Sequence, residues 1–194
     1  MYMVAEMNII VSCHIDTVFS QPFVSWDGSR LKGALDNFAS LFACSLLIDQ
    51  MQQDIHIEFT EDEELTMDGA RSLARKHNNQ DTLFIVMDVT VSSKKHLFTI
   101  ENCHRIKSIH INHALQPLKG QYKIVPNGSE SEAWLYRDLG FAVIEVDISV
   151  FGGVHNLAGT TTWERVRAAA GAIKLLVDYF KNKSLVEVEG TMTP

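Results

Sequence analysis

Ile55-His56-Ile57-Glu58-Phe59-Thr60 leads straight into Glu61-Asp62-Glu63-Glu64-Leu65, a strand-like run that ends in four consecutive carboxylates. By itself such an acidic run describes a solvated turn. Its setting gives it more weight. At the C-terminal end of a buried strand, adjacent Glu63 and Glu64 point different ways, so one carboxylate can hold a cation while its neighbour faces a bound water. That division of labour needs further ligands. The chain offers His14 and Asp16 after Asn8-Ile9-Ile10-Val11-Ser12, and Asp88 after Thr82-Leu83-Phe84-Ile85-Val86-Met87. It also offers Asp36 in Gly33-Ala34-Leu35-Asp36-Asn37 and His155 in Gly153-Val154-His155-Asn156. The strand-borne candidates stand on the edge where open α/β sheets place their ligands.

Outward from this stretch the elements alternate. Met7 to Cys13 is a continuous apolar run of the kind buried on both faces of a sheet. Phe23 to Lys32 reads as a hairpin turning at Asp27-Gly28. Asn37 to Met51 carries a broad apolar helical face uninterrupted by Gly or Pro. Strand Ile55 to Thr60, a short helix from Gly69 to His77 and strand Thr82 to Asp88 complete a βαβαβ order. That order predicts an α/β fold with three layers, α/β/α, around a mostly parallel mixed sheet. Farther along, His96 to Ile100 reads as an edge strand, Asn102 to Lys119 leans to helix, and a helix from Glu130 to Leu139 stops at Gly140 before strand Phe141 to Val146. Thr161-Thr162-Trp163-Glu164 looks like a capping box opening a long helix to Lys181. Residues 1–183 are expected to form one domain, with 184–194 a peripheral tail.

Composition excludes several classes. The chain has 194 residues, 17 basic against 24 acidic, for a net charge of −7. No Lys/Arg cluster interleaves with aromatics, which argues against nucleic acid as a partner. No apolar stretch reaches the length of a membrane span, and the N-terminus lacks a basic segment leading into an apolar one. Three cysteines without a C-x-x-C pair fit a reducing compartment, so a cytoplasmic location is expected.

Taken together, His14-Ile15-Asp16-Thr17-Val18, Asp27-Gly28, Gly33-Ala34-Leu35-Asp36-Asn37, Asp62-Glu63-Glu64 with Gly69-Ala70, Asp88-Val89-Thr90 and His155 resemble the co-catalytic di-zinc exopeptidases. That group includes aminopeptidases, dipeptidases, aminoacylases and related carboxypeptidases. The pieces occur in the family's order over residues 7 to 180. The resemblance implies two divalent metal ions, most simply Zn2+, bridged by Asp36. Glu64 and His155 would complete one site and His14 and Asp88 the other. It implies Glu63 as the general base acting on a two-metal-activated water, and Asp16 as the carboxylate that orients His14. Only 22 positions separate His14 from Asp36, and 67 separate Asp88 from His155. These intervals leave no space for the lid domains that relatives insert, so the chain resembles a minimal catalytic domain.

Where relatives carry Thr-Asp or Ser-Asp before the penultimate helix, this chain has Ser129-Glu130-Ser131-Glu132, and Thr160 to Thr162 replace the acidic neighbour after His155. Glu130 and Glu132 are therefore the substrate-binding candidates, and their charge favours an amine. The expected activity is an aminopeptidase or dipeptidase acting on short peptides. The alternatives are an N-acyl-amino-acid deacylase of the same chemistry, or a catalytically silent binding domain on the same scaffold. Apolar edges left by a lidless core leave self-association into a homo-oligomer open.

Overall fold

The parallel core of the molecule is built by β1 (Asn8–His14), β4 (His56–Thr60), β5 (Thr82–Val91) and β8 (Ala142–Val150), as seen in a computed structural model that describes residues 6–51, 55–91, 95–128 and 130–189. Residues 82–89 and 142–150 are buried throughout, which is why both read as near-continuous apolar runs. β6 (Phe98–His104) joins antiparallel to β8, and β7 (Tyr122–Ile124) pairs parallel to β6, giving the order β4-β1-β5-β8-β6-β7. A second sheet contains the expected hairpin, β2 (Val24–Trp26) and β3 (Arg30–Gly33), with β9 (Thr160–Thr162) against β3.

Helices cover both faces. α1 (Leu35–Met51), α3 (Ser108–Ala114) and α5 (Trp163–Phe180) bury Leu35, Leu47, Ile111, Ile173 and Phe180 against one face. α2 (Asp68–Ala74) and α4 (Glu132–Asp138) bury Leu73 and Tyr136 against the other, where Tyr136 stacks on Phe84 with ring centroids 3.9 Å apart. Each such large side chain contributes roughly 1.5–3 kcal/mol by leaving water. The three-layer α/β/α architecture with a mostly parallel mixed sheet is thus as expected.

Several local expectations are corrected. β4 is not a buried strand but an edge of the sheet, and Phe59 on it is 47% exposed. β6 is not an edge, because β7 pairs outside it. Apolar Phe98 and Ile100 alternate with Thr99 and Glu101, a pattern that looks half-exposed although all four are buried. The segment read as helix from Asn102 first finishes β6, and its α-helical part is only α3. The cap of α5 is Thr162, whose hydroxyl accepts from the Arg165 amide at 3.4 Å, while Thr161 lies in β9 and donates to the Ser149 carbonyl at 2.9 Å.

The segment expected to be a peripheral tail also packs. α6 (Leu185–Val188) buries Leu185 and Val188 in the main core, and Glu189 pairs with Arg105. The rest of that tail, 190–194, lies outside the described residues, as does Ser129. Leu185→Ala should therefore destabilise the protein by roughly 2–4 kcal/mol in urea unfolding. A change below about 0.5 kcal/mol, the range of surface substitutions, would show that the segment is peripheral after all.

Candidate metal centre

β1 is the strand at which the chain reverses direction across the sheet. From β1 the chain passes through α1 to β4 on one side, then through α2 to β5 on the other. The loops diverge at its C-terminal end and leave a crevice there, the usual ligand position of such sheets. His14 is the last residue of β1, Asp88 lies toward the C-terminal end of β5, Glu63 and Glu64 follow β4, and His155 follows β8.

Two glycines make the approach possible. Gly33 sits at φ +138°, where a Cβ would stand 2.0 Å from the Phe23 carbonyl oxygen, so only glycine lets the chain turn from β3 into Asp36. A Cβ on Gly69 would stand 2.4 Å from the Glu61 carbonyl oxygen. The turn carrying the two glutamates closes against that glycine: the Gly69 amide donates to the Glu61 carbonyl at 3.2 Å and the Met67 amide to the Asp62 carbonyl at 2.6 Å. The start of α1 is pinned to β5 by the Asn37 side chain, which donates to the Met87 carbonyl at 2.9 Å, and by Ser40, which donates to the Asp88 carbonyl at 3.2 Å.

These supports bring the predicted ligands into two groups that share one carboxylate. His14, Asp36 and Asp88 form one; Asp36, Glu64 and His155 form the other, with one ligand atom from each residue within 4.8 Å of its partners. Asp36 faces both ways: its Oδ1 lies 3.3 Å from His14 Nε2 and its Oδ2 3.2 Å from His155 Nε2. Asp88 Oδ1 is 3.6 Å from His14 Nε2, and Glu64 Oε2 is 3.2 Å from His155 Nε2. The other six histidines of the chain belong to neither group.

The electrostatics call for cations. His14 Nε2, Asp36 Oδ1 and Glu64 Oε1 are buried without a hydrogen-bond partner, and each such atom costs about 1–3 kcal/mol unless something satisfies it. Burial raises the pKa of Asp88, and so does neighbouring Asp36, against the opposing pull of His14; Glu64 is raised by burial and then by Asp36. His14 answers these carboxylates. Burial disfavours its charge, yet Asp36 and Asp88 outweigh it and push its pKa up to about 12. In protein alone, a proton on His14 offsets the clustered negative charge. A divalent ion in each group would do so with the ligand chemistry that imidazole and carboxylate provide, so the residues fit metal.

Glu63 lies beside both groups in a cleft of about 370 Å³ that Val89, Thr90, Val91 and Val154 also line. Its pKa is pushed up to about 8, first by burial, with His14 pulling it down and Asp88, Glu64 and Asp36 pushing it up. Asp16 has a role that its position in the sequence did not disclose. Its Oδ1 lies beside His14 Nδ1 at 3.5 Å, the pairing that the resemblance implies, and its two oxygens accept the amides of Glu63 and Glu64 at 3.2 Å each. Asp16 thereby fixes the turn that presents both glutamates.

The substrate candidates separate. Glu130 is exposed and lines the cleft. Glu132 does not: it is fully buried on α4, accepting from Ser12 Oγ at 2.8 Å, because its position in the first turn of the helix points it under the sheet. The sequence reading also missed Glu145 and Asp147. They share the buried face of β8, and burial raises both, Glu145 to about 8. A charged residue at alternate positions of an apolar strand was the available signal.

The model of peptidase family M28 matches residues 4–165. The chain belongs to that family. An aminopeptidase of the archaeon Desulfurococcus kamchatkensis shares its fold with a TM-score of 0.67 at 13% identity, over 89% of this chain and 56% of the other. The TET1 peptidase of Pyrococcus horikoshii, which can assemble into a tetrahedron or a large octahedral shell, gives 0.65 at 15% identity over 81% and 53%. An M18-family aminopeptidase of Thermotoga maritima gives 0.57 at 12% identity over 82% and 48%. The M28 chain thus spans about half the length of these structures. No curated protein sequence matches it significantly.

Asp16→Asn turns one of the two acceptors into an amide donor facing a backbone N–H. Divalent-ion affinity, measured by competition with a chelating dye, should fall about 10–100-fold. Unchanged affinity would mean that the Glu63-Glu64 turn does not depend on Asp16.

Proposed function

We propose that this chain carries the catalytic centre of a zinc-dependent exopeptidase, an aminopeptidase or dipeptidase that hydrolyses short peptides. The observation that carries this reading is the shared Asp36 between two ligand groups, with Glu63 standing beside both in an open cleft. Two zinc ions held by His14, Asp36, Asp88, Glu64 and His155 would polarise the scissile carbonyl and acidify a water between them. Glu63 is the general base. A carboxyl with its pKa raised toward neutrality takes a proton from water and returns it to the leaving amine more readily than an ordinary glutamate. The cations favour its charged form, so its working pKa lies at or below about 8. Asp16 holds Glu63 and Glu64 in register through their amides.

Substrate preference follows from the cleft. Glu130 at its rim attracts a free α-amino group, and among the described residues no lysine or arginine lines the cleft to hold a free carboxylate. The structures that share the fold include aminopeptidases, which favours the same choice.

Dialysis against zinc should load two ions per chain. Asp36→Ala should lose both, and His14→Ala mainly one. A single ion at saturation, or equal losses at every ligand, would remove the shared-carboxylate reading.

Aminoacyl-nitroanilides and dipeptides should be cleaved faster than the same compounds N-acetylated, and Glu63→Gln should keep its metal while turnover drops roughly 10²–10⁴-fold. The wild-type rate should rise along an acid limb that Glu63→Gln lacks. Faster cleavage of the blocked compounds would make the protein a deacylase. No hydrolysis by zinc-loaded protein would leave it a binding domain.

A further inference from the structure

At the opposite end of the sheet from the metal centre lies a second cavity, of about 380 Å³. β5 runs from one to the other: Thr82 is at the cavity's end and Asp88 at the cleft, six residues or about 20 Å of strand. The walls of the cavity are the end of α2 with the loop that follows it, and the loop from α4 to β8.

Its lining is divided in two. Arg71 and Arg75 stand one helical turn apart at the end of α2, both exposed, and among the described residues no acidic side chain lines the cavity. Among the described residues neither arginine has an ion pair or a side-chain hydrogen bond. The floor between them is apolar, formed by Ala74, Leu139 and buried Phe141, with the His77 ring beside it. The rim is held in place without a ligand: Arg105 donates to the Asn79 carbonyl at 2.6 Å and to the Gly140 carbonyl at 2.7 Å, and Asn79 Nδ2 donates to the Leu139 carbonyl at 3.2 Å.

Arginines at the last turn of a helix also complement its dipole, and that alone accounts for a basic residue there. It does not account for two like charges at i and i+4, which repel each other, flanking an apolar cavity in a chain of net charge −7. We infer that this cavity binds a small organic anion, with a phosphate or carboxylate head held by Arg71 and Arg75 and an apolar body on Leu139 and Phe141. Guanidinium forks match both heads in pairs of parallel hydrogen bonds, and the volume suits a ligand of modest size. The site is separate from the proposed active centre, and its existence does not rest on the hydrolase reading.

Titration calorimetry on the metal-loaded full chain tests this with phenyl phosphate, 3-phenylpropionate, inorganic phosphate and benzyl alcohol. One or both of the aromatic anions should bind, at least about tenfold more tightly than inorganic phosphate, which lacks the apolar body, and than benzyl alcohol, which lacks the charge. Whichever aromatic anion binds more tightly identifies the head group. In R71Q/R75Q that binding should fall by at least about tenfold. Both side chains are exposed, so the thermal midpoint of the variant should stay that of the wild type. Binding of the aromatic anions should persist in Asp36→Ala, whose substitution lies at the other end of the sheet. The inference is overturned if neither aromatic anion binds, if benzyl alcohol binds as well as they do, if R71Q/R75Q binds them undiminished, or if Asp36→Ala abolishes their binding.

Discussion

The mutual repulsion of carboxylates brought to one sheet edge is the constraint on which this structure turns. Asp36, Glu64 and Asp88 converge within ligand distance of two histidines, with Glu63 beside them and Asp16 behind. In a low-dielectric setting like charges so close cannot all remain ionised without compensation. Burial first, and the neighbouring carboxylates after it, raise the pKa values of Asp88, Glu64 and Glu63, while Asp36 and Asp88 outweigh burial to raise that of His14. Cations held by these ligands would relieve the repulsion.

Holding such a cluster together requires a scaffold that does not yield. The parallel strands β1, β5 and β8 supply it, since their apolar residues are packed on both faces. Backbone ties then set each ligand: Asp16 on the glutamate turn, Asn37 on β5, and the close approach of Gly33 and Gly69 to neighbouring carbonyls. A loop alone would let the carboxylates spread apart. The rigid edge keeps the unfavourable arrangement in place and so leaves it available to bind metal.

The two ends of the sheet differ in character. The C-terminal end gathers negative charge around the metal centre, whereas the other end presents Arg71 and Arg75 around an apolar cavity. β5 passes through the core between them. The chain's overall acidity therefore hides a local reversal of sign that composition averages away.

Much of this was legible in the sequence because it depends on local order. The alternation of apolar runs with helical stretches determines an α/β sheet, and residue types just past strand ends determine which carboxylates and histidines can meet, since in a parallel sheet those ends share one edge. That rule points to His14, Glu63, Glu64 and Asp88; Asp36 and His155, and the metal and base roles, were what the resemblance to the di-zinc exopeptidases implied. Tertiary structure decided what depends on neighbours distant in sequence. The short β7 makes β6 interior, because pairing partners are not written into a strand's own residues. Packing of Leu185 and Val188 turns an apparent tail into core. The helical direction of Glu132 takes it under the sheet while Glu130, two residues earlier, stays in the cleft. Asp16 grips the amides of Glu63 and Glu64 across 47 and 48 positions of chain, a contact that exists only once β1 and β4 lie side by side.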